Sequence, residues 1–187
     1  MAFLPKGYEV PKAPSRYLKP TDGQIKFRVI SDAIFGFEYW TKDKDGKNKP
    51  VRLKDAPKEK PADVRLEDDG SYSVKPFLAF TAIDRWDNLI KVVTITQSGV
   101  MKQIESYFNS EDWGDPKNYD LAITGTGQGK ERRYTTIAIP PKPLTDDEKK
   151  LISENPVNLN ALFSGGDPFD SKIVKPEEEV KLADVPF

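Results

Sequence analysis

The clearest pattern in the chain begins at Gln24, where apolar and polar positions alternate with a period of two. Ile25, Phe27 and Val29 fall on one side and Lys26 and Arg28 on the other, as in a half-buried β-strand. A second strand is predicted from Ile34 to Thr41, with Phe35, Phe37 and Tyr39 on one face and Glu38 and Trp40 on the other. From Lys42 to Lys75 charged residues dominate, and Gly46, Pro50, Pro57, Pro61 and Gly70 interrupt any regular element. A mobile loop or extended hairpin tip is expected there, with Val51 to Lys54 its only strand-like piece. Phe77 to Asp84 is nearly all apolar, as a strand buried on both faces should be. After a turn around Trp86, Leu89 to Thr96 returns as a β-branched strand. The period then changes: Val100, Met101, Ile104, Tyr107 and Phe108 recur at helical spacing, with Ser98 as expected N-cap and Asn109-Ser110 as the stop. Beyond the turn Trp113-Gly114-Asp115-Pro116, strands are predicted at Tyr119 to Thr124 and Arg132 to Ile139, joined by a glycine-rich turn from Gly125 to Gly129.

This order predicts a mainly β fold: a five-stranded OB-fold barrel with one helix between its third and fourth strands. A generic antiparallel α+β domain is the structural alternative. The barrel is assigned to residues 23–143, and Pro140-Pro141-Lys142-Pro143 ends it. Residues 1–22 hold Pro5, Pro11, Pro14 and Pro20 among Lys6, Lys12, Arg16 and Lys19, which predicts an extended basic arm pinned by Tyr8 and Tyr17. Thr145-Asp146-Asp147-Glu148 is a capping box opening a short helix to about Glu154, and a further turn is expected between Pro156 and Phe163. Residues 144–163 thus read as a short helical extension. From Ser164 onward Gly, Asp, Pro, Lys and Glu dominate, so residues 164–187 are expected to be disordered.

Composition narrows the chemistry. With no Cys and no His, the chain cannot build a disulfide framework, a thiolate or imidazole zinc site, or a nucleophile–base pair that needs either residue. No cofactor is expected, and an enzyme is the least favoured class. No segment approaches the ~20 apolar residues of a membrane span, and no apolar run near the N-terminus has signal-peptide length. A cytoplasmic protein is the resulting expectation, in the host cytoplasm if the chain is phage-encoded. The net charge of −1 conceals an asymmetry. Residues 1–143 hold 24 Lys plus Arg against 20 Asp plus Glu, a net of +4, while residues 144–187 hold 5 against 10, a net of −5. A mildly basic body with an acidic end fits a nucleic-acid binder with an interaction tail.

Binding single-stranded DNA requires cations for phosphates and aromatic faces for unstacked bases. Lys26, Arg28, Arg52, Lys54, Lys91, Arg132 and Arg133 are the candidate phosphate contacts. Tyr39, Trp40 and Trp86 are the candidate stacking residues, with Tyr134 beside the last arginine pair; Trp113, in a Gly-Asp-Pro turn, reads as a structural cover. Two motifs carry no chemistry. In Gly125-Thr126-Gly127-Gln128-Gly129-Lys130, Glu131 stands where a phosphate loop needs Ser or Thr, so the stretch reads as a hairpin turn. Asp43-Lys44-Asp45-Gly46 has its glycine too early for a calcium loop. Asp84 and Asp87 flank Trp86 without a partner for acid–base work.

The last residues are the sharpest local signal. Glu177-Glu178-Glu179 leads to Asp184-Val185-Pro186-Phe187, which offers a terminal carboxylate and a large ring to a basic-rimmed apolar pocket. This end resembles the tail of bacterial single-stranded DNA-binding proteins, which close on Asp-Ile-Pro-Phe after an acidic run and recruit replication and repair proteins. Here Val185 replaces the Ile, and Lys181 and Leu182 interrupt the acidity. The body, roughly residues 3–143, resembles the single-stranded DNA-binding proteins of tailed bacteriophages. Its matching stretches are Tyr8-Glu9-Val10-Pro11-Lys12, Lys26-Phe27-Arg28, Gly36-Phe37-Glu38-Tyr39-Trp40, Thr94-Ile95-Thr96-Gln97 and Trp113-Gly114-Asp115-Pro116. That resemblance implies an OB-fold, sequence-independent coating of single strands, and a role in phage DNA replication, recombination or repair. Partner proteins are expected at the tail tip, self-association along the strand through the basic arm, and competition of the acidic tail with DNA. An RNA-binding OB module and a protein–protein adaptor or virion component are the other readings.

Overall fold

The computed structural model describes residues 15–20 and 23–170. Its strands are β1 (Tyr17–Leu18), β2 (Gly23–Val29), β3 (Ile34–Lys42), β4 (Asn48–Leu53), β5 (Val74–Asp84), β6 (Ile90–Ile95), β7 (Asp120–Thr126) and β8 (Arg133–Ala138). Helix α1 (Ser98–Phe108) lies between β6 and β7, and α2 (Asp146–Glu154) and α3 (Ala161–Ser164) follow β8.

β2 and β3 act as one long strand with a break. Both pair antiparallel with the same edge of β5, and five steps from Val29 to Ile34 face only three from Ala82 to Ala79. Ser31 fills this bulge, its hydroxyl accepting the Thr81 N–H at 2.9 Å. β6 pairs with the other edge of β5, β7 with β2, β8 with β7, and β4 forms a hairpin on β3. β1 adds a short parallel bridge to β6, so Tyr17 does pin the end of the arm, while Tyr8 lies outside the described residues.

The sheet is therefore mixed, eight-stranded and open, with the ladder order β1-β6-β5-β2-β7-β8. The expected five-stranded closed barrel is not what the backbone pairing gives: among the described residues no ladder joins β8 to β6 or β1. Helix α1 stands in that gap, touching both β6 and β8. Gln103 donates from its amide to the Tyr134 carbonyl at 3.2 Å and accepts the Thr136 N–H at 2.6 Å, and the Tyr107 hydroxyl donates to the Thr136 carbonyl at 3.3 Å. Side chains of a helix thus satisfy the free edge of β8.

Two apolar clusters result from the two sides of the sheet. The inner one joins Ile25, Phe27 and Val29 of β2, Phe80, Val93, Ile95, Leu121 and Ile123 to Val100 and Ile104 of α1. Trp113 covers it edge-on against Tyr107 and Tyr119, as a structural residue. The outer one joins Phe77, Ala79 and Val92 to Leu159 and Leu162, with Tyr17, Ile34, Val157, Phe163 and Phe169 around it. This explains the nearly unbroken apolar run of β5: both its faces are covered, one by α1 and the other by the chain's own C-terminal segment.

Several local expectations change. Ser98 is the first helical residue, and the N-cap is Gln97, whose side chain makes no cap bond. The stretch 42–75 is largely anchored. Lys42 belongs to β3, β4 occupies Asn48–Leu53 with Pro50 tolerated on an edge strand, and β5 starts at Val74. Tyr39 donates its hydroxyl to Asp63 at 2.9 Å, the Thr41 hydroxyl donates to the Asp63 carbonyl, and Val64 is buried. Packing also continues past Ser164: Pro168 is buried and Phe169 half-buried, so Ser164 to Asp170 belong to the fold, and residues 171–187 lie outside the described residues.

The Thr145 capping box forms as predicted. Its glutamate also reaches Arg85 at the end of β5, which docks α2 on the sheet. Burial alone would raise the Glu148 carboxyl, but the Thr145 N–H and the Arg85 guanidinium outweigh it and hold it below the ordinary value. A carboxyl held low when folded stabilises above its unfolded value, about pH 4.3, and that stabilisation disappears as pH falls through the folded value. Glu148→Gln should therefore lower the thermal midpoint at neutral pH, and its gap from the parent protein should narrow in melts run below about pH 4. A gap of constant size across that range would show that the charge plays no part.

Candidate nucleic-acid interface

The β3–β4 and β3–β5 registers set Glu38, Trp40, Arg52 and Lys75 on one side of the sheet, the outward one. There they line a cleft of about 260 Å³ together with Lys19, Arg65, Glu67, Thr94, Thr96 and Gln97. Its four cations outnumber its two carboxylates. Trp40 is 38 % exposed at this cleft while Tyr39, its neighbour, points inward and is 6 % exposed. Arg52 donates from Nε to Glu38 at 2.9 Å and stacks over the Phe77 ring at 5.4 Å. Arg65 pairs with Glu67 at 2.7 Å, and its N–H donates to the Trp40 carbonyl at 2.6 Å, so the loop carrying it is tied to the strand carrying the ring. The arrangement combines an exposed indole face with guanidinium and ammonium groups that can bridge to phosphate.

Of the residues singled out in the sequence, Trp40 and Arg52 come together here, and Lys54 follows in line, exposed, with its ammonium 5.8 Å over the Phe163 ring. Trp86 is 70 % exposed but sits at the far end of β5. From Lys75 beside the cleft to Arg85 beside Trp86 is on the order of 30 Å of strand. Lys26 is near that end, its carbonyl accepting the Arg85 N–H at 2.9 Å. Arg132, Arg133 and Tyr134 cluster at the β7–β8 hairpin; Arg133 is exposed, Arg132 is half-buried with Nε 3.5 Å from the Gly127 carbonyl, and Tyr134 packs on the inner cluster. Asp184, Val185, Pro186 and Phe187 lie outside the described residues.

Three candidates are corrected by their surroundings. Arg28 is 2 % exposed, its Nε bonded to Asp120 at 2.7 Å and an Nη donating to the Lys142 carbonyl at 2.8 Å. It is a structural cation, sharing Asp120 with Arg85. Tyr39 is a core residue. Burial first, then the Asp63 carboxylate, pushes its phenol above the ordinary value. Lys91 is buried between Asp84 at 2.6 Å and Asp87 at 2.5 Å. Burial opposes its charge, but these two carboxylates outweigh it and hold the ammonium above the usual lysine value, which also gives the Asp pair around Trp86 its role. Sequence reasoning passed over Lys19, Arg65 and Lys75. Lys75 was legible, because extending the β5 alternation two residues upstream from Phe77 places it on the outward side. Arg65 was not, since nothing local shows that its loop folds back on Trp40.

No family model matches the sequence, and no solved structure matches it. Among curated proteins it is similar to the "Probable ssDNA-binding protein" of Escherichia phage T5, 26 % identical over an alignment of 137 residues that covers 63 % of this chain and 52 % of that protein. The chain thus spans about half the length of the curated relative it matches. The resemblance to phage single-stranded DNA-binding proteins read from the sequence is borne out by this similarity.

Proposed function

We propose that the chain binds single-stranded DNA without reading its sequence, on the outward face of an OB-fold. The observation that carries this is the cleft in which Trp40 lies among Lys19, Arg52, Arg65 and Lys75. The strand order supports the fold: β2–β3 as the long first strand, then β5, β6, α1, β7 and β8, with the helix between the third and fourth members of a partly open barrel. The name of the phage T5 relative points the same way. Lys54 extends the cleft beyond the end of β4, and half-buried Lys26 lies near exposed Trp86 at the other end of β5. In this reading the protein coats and protects single strands during phage DNA replication and recombination, and residues 184–187 recruit partner proteins.

The test is fluorescence anisotropy with a labelled strand of about 30 nucleotides, its duplex and the matching RNA, over a salt series. Tight binding to the single strand, much weaker binding to duplex, and a log–log salt slope near −3 are expected, since four cations each release about 0.7 counterion on a single strand. Duplex bound as tightly as the single strand would reject the reading. RNA bound more tightly than DNA would replace it with an RNA-binding module, and no binding at low salt with a protein adaptor.

A further inference from the structure

Residues 157–169 cover the middle of the same outward face, and what lies beneath them repeats the chemistry of the cleft. The Phe77 ring carries the Arg52 guanidinium at 5.4 Å, and Arg52 itself lines the cleft, so the two surfaces are continuous. Phe163 lies tilted on Phe77 with centroids 5.8 Å apart, under the Lys54 ammonium, and Arg16 stands 5.0 Å over the Phe169 ring. A Cβ on Gly36 would meet the Leu53 carbonyl oxygen at 2.4 Å and both Phe163 Cε1 and Phe77 Cε1 at 2.8 Å, so β3 leaves room at this point for β4 and for the two rings together. The segment places an aromatic ring between an aromatic floor and a cation, the position a base would take.

Its attachment is of a particular kind. Asn158 donates its N–H to the Pro168 carbonyl, Gly166 to Ala161 and Asp170 to Asp167, so its hydrogen bonds close on itself. Among the described residues no hydrogen bond joins 157–169 to a strand of the sheet; side-chain packing and the two cation–ring contacts hold it there. A unit satisfied internally can leave without orphaning backbone groups.

We propose that residues 157–169 form a displaceable strap that shares its seat with single-stranded DNA, which lifts it and stacks a base on Phe77 between Arg52 and Lys54. This rests on the single-strand binding proposed above and concerns a different segment from the acidic tail. The strap then lowers the apparent affinity by the fraction of time it is closed.

The test uses the full chain and an oligothymidine of about 30 nucleotides. Amide hydrogen exchange within 157–169 should accelerate when the strand is bound, whereas slower or unchanged exchange at saturation would overturn the strap while leaving single-strand binding intact. Phe163→Ala, checked by its melting curve, should bind the strand roughly tenfold more tightly by raising the open fraction. A folded variant with parental affinity would count against the strap. Binding by the variant but not by the parent would support a strap that is closed almost always. Binding by neither would remove single-strand binding and the strap together.

Discussion

Trp40→Ala should bind single-stranded DNA on the order of ten- to a hundredfold more weakly than the parent protein, with an unchanged melting curve. Stacking of one base on an aromatic side chain contributes about 1–3 kcal/mol by alanine substitution. The fold should not notice the change, because the ring lies on the outward side of β3 and belongs to neither apolar cluster. Tyr39→Ala is the informative neighbour. It removes a buried ring and the hydroxyl bonded to Asp63, so it lowers stability while its DNA affinity, measured on the folded fraction, stays put. Anisotropy titrations at a single salt concentration, paired with thermal melts, separate the two residues. Equal affinity of Trp40→Ala and parent would take the indole out of the interface.

Asp120→Ala costs about 3–5 kcal/mol of folding stability, a large part of the ~5–15 kcal/mol a domain of this kind has to lose. One carboxylate receives Arg28 at 2.7 Å and Arg85 at 2.9 and 3.0 Å, and Arg28 has almost no access to water. Removing the carboxylate leaves a buried guanidinium with only the Lys142 carbonyl, which is far worse than never having had the charge. The double variant Arg28→Met with Asp120→Leu should recover much of the loss, since it removes the buried Arg28 charge together with its partner while Arg85 keeps Glu148. Denaturant midpoints of the parent, single and double variants measure this. A single variant within about 1 kcal/mol of the parent would mean that water reaches Arg28.

The contrast between Lys26 and Arg28 shows how far the sequence could be read. Their alternation correctly placed both on the outward face of β2. Alternation names a side and says nothing about what covers it: Asp120 arrives at Arg28 from 92 residues away and Lys142 from 114. Tyr39 and Trp40 were separable by the same rule, and the structure keeps them on opposite sides. The apolar run of β5 and β6 demanded a second cover, and Leu159, Leu162 and Phe163 were available for it. The glycine, proline and acidic residues after Ser164 hid the fact that Pro168 and Phe169 complete that cover. The stretch 42–75 looked like a loop because its anchors are single contacts, such as Tyr39 with Asp63, which have no period to detect.

The amide of Gln103 has a consequence for crowding. A bare strand edge is a template on which a second chain can lay down its own backbone, and proteins packed side by side offer that template repeatedly. Here the rim of β8 is already occupied by a side chain that donates and accepts as a peptide unit would, with Tyr107 completing the set. Neighbouring molecules at high concentration then find no open ladder at this rim. Gln103 thus acts as a blunt end that withholds this edge from the backbone of a second chain.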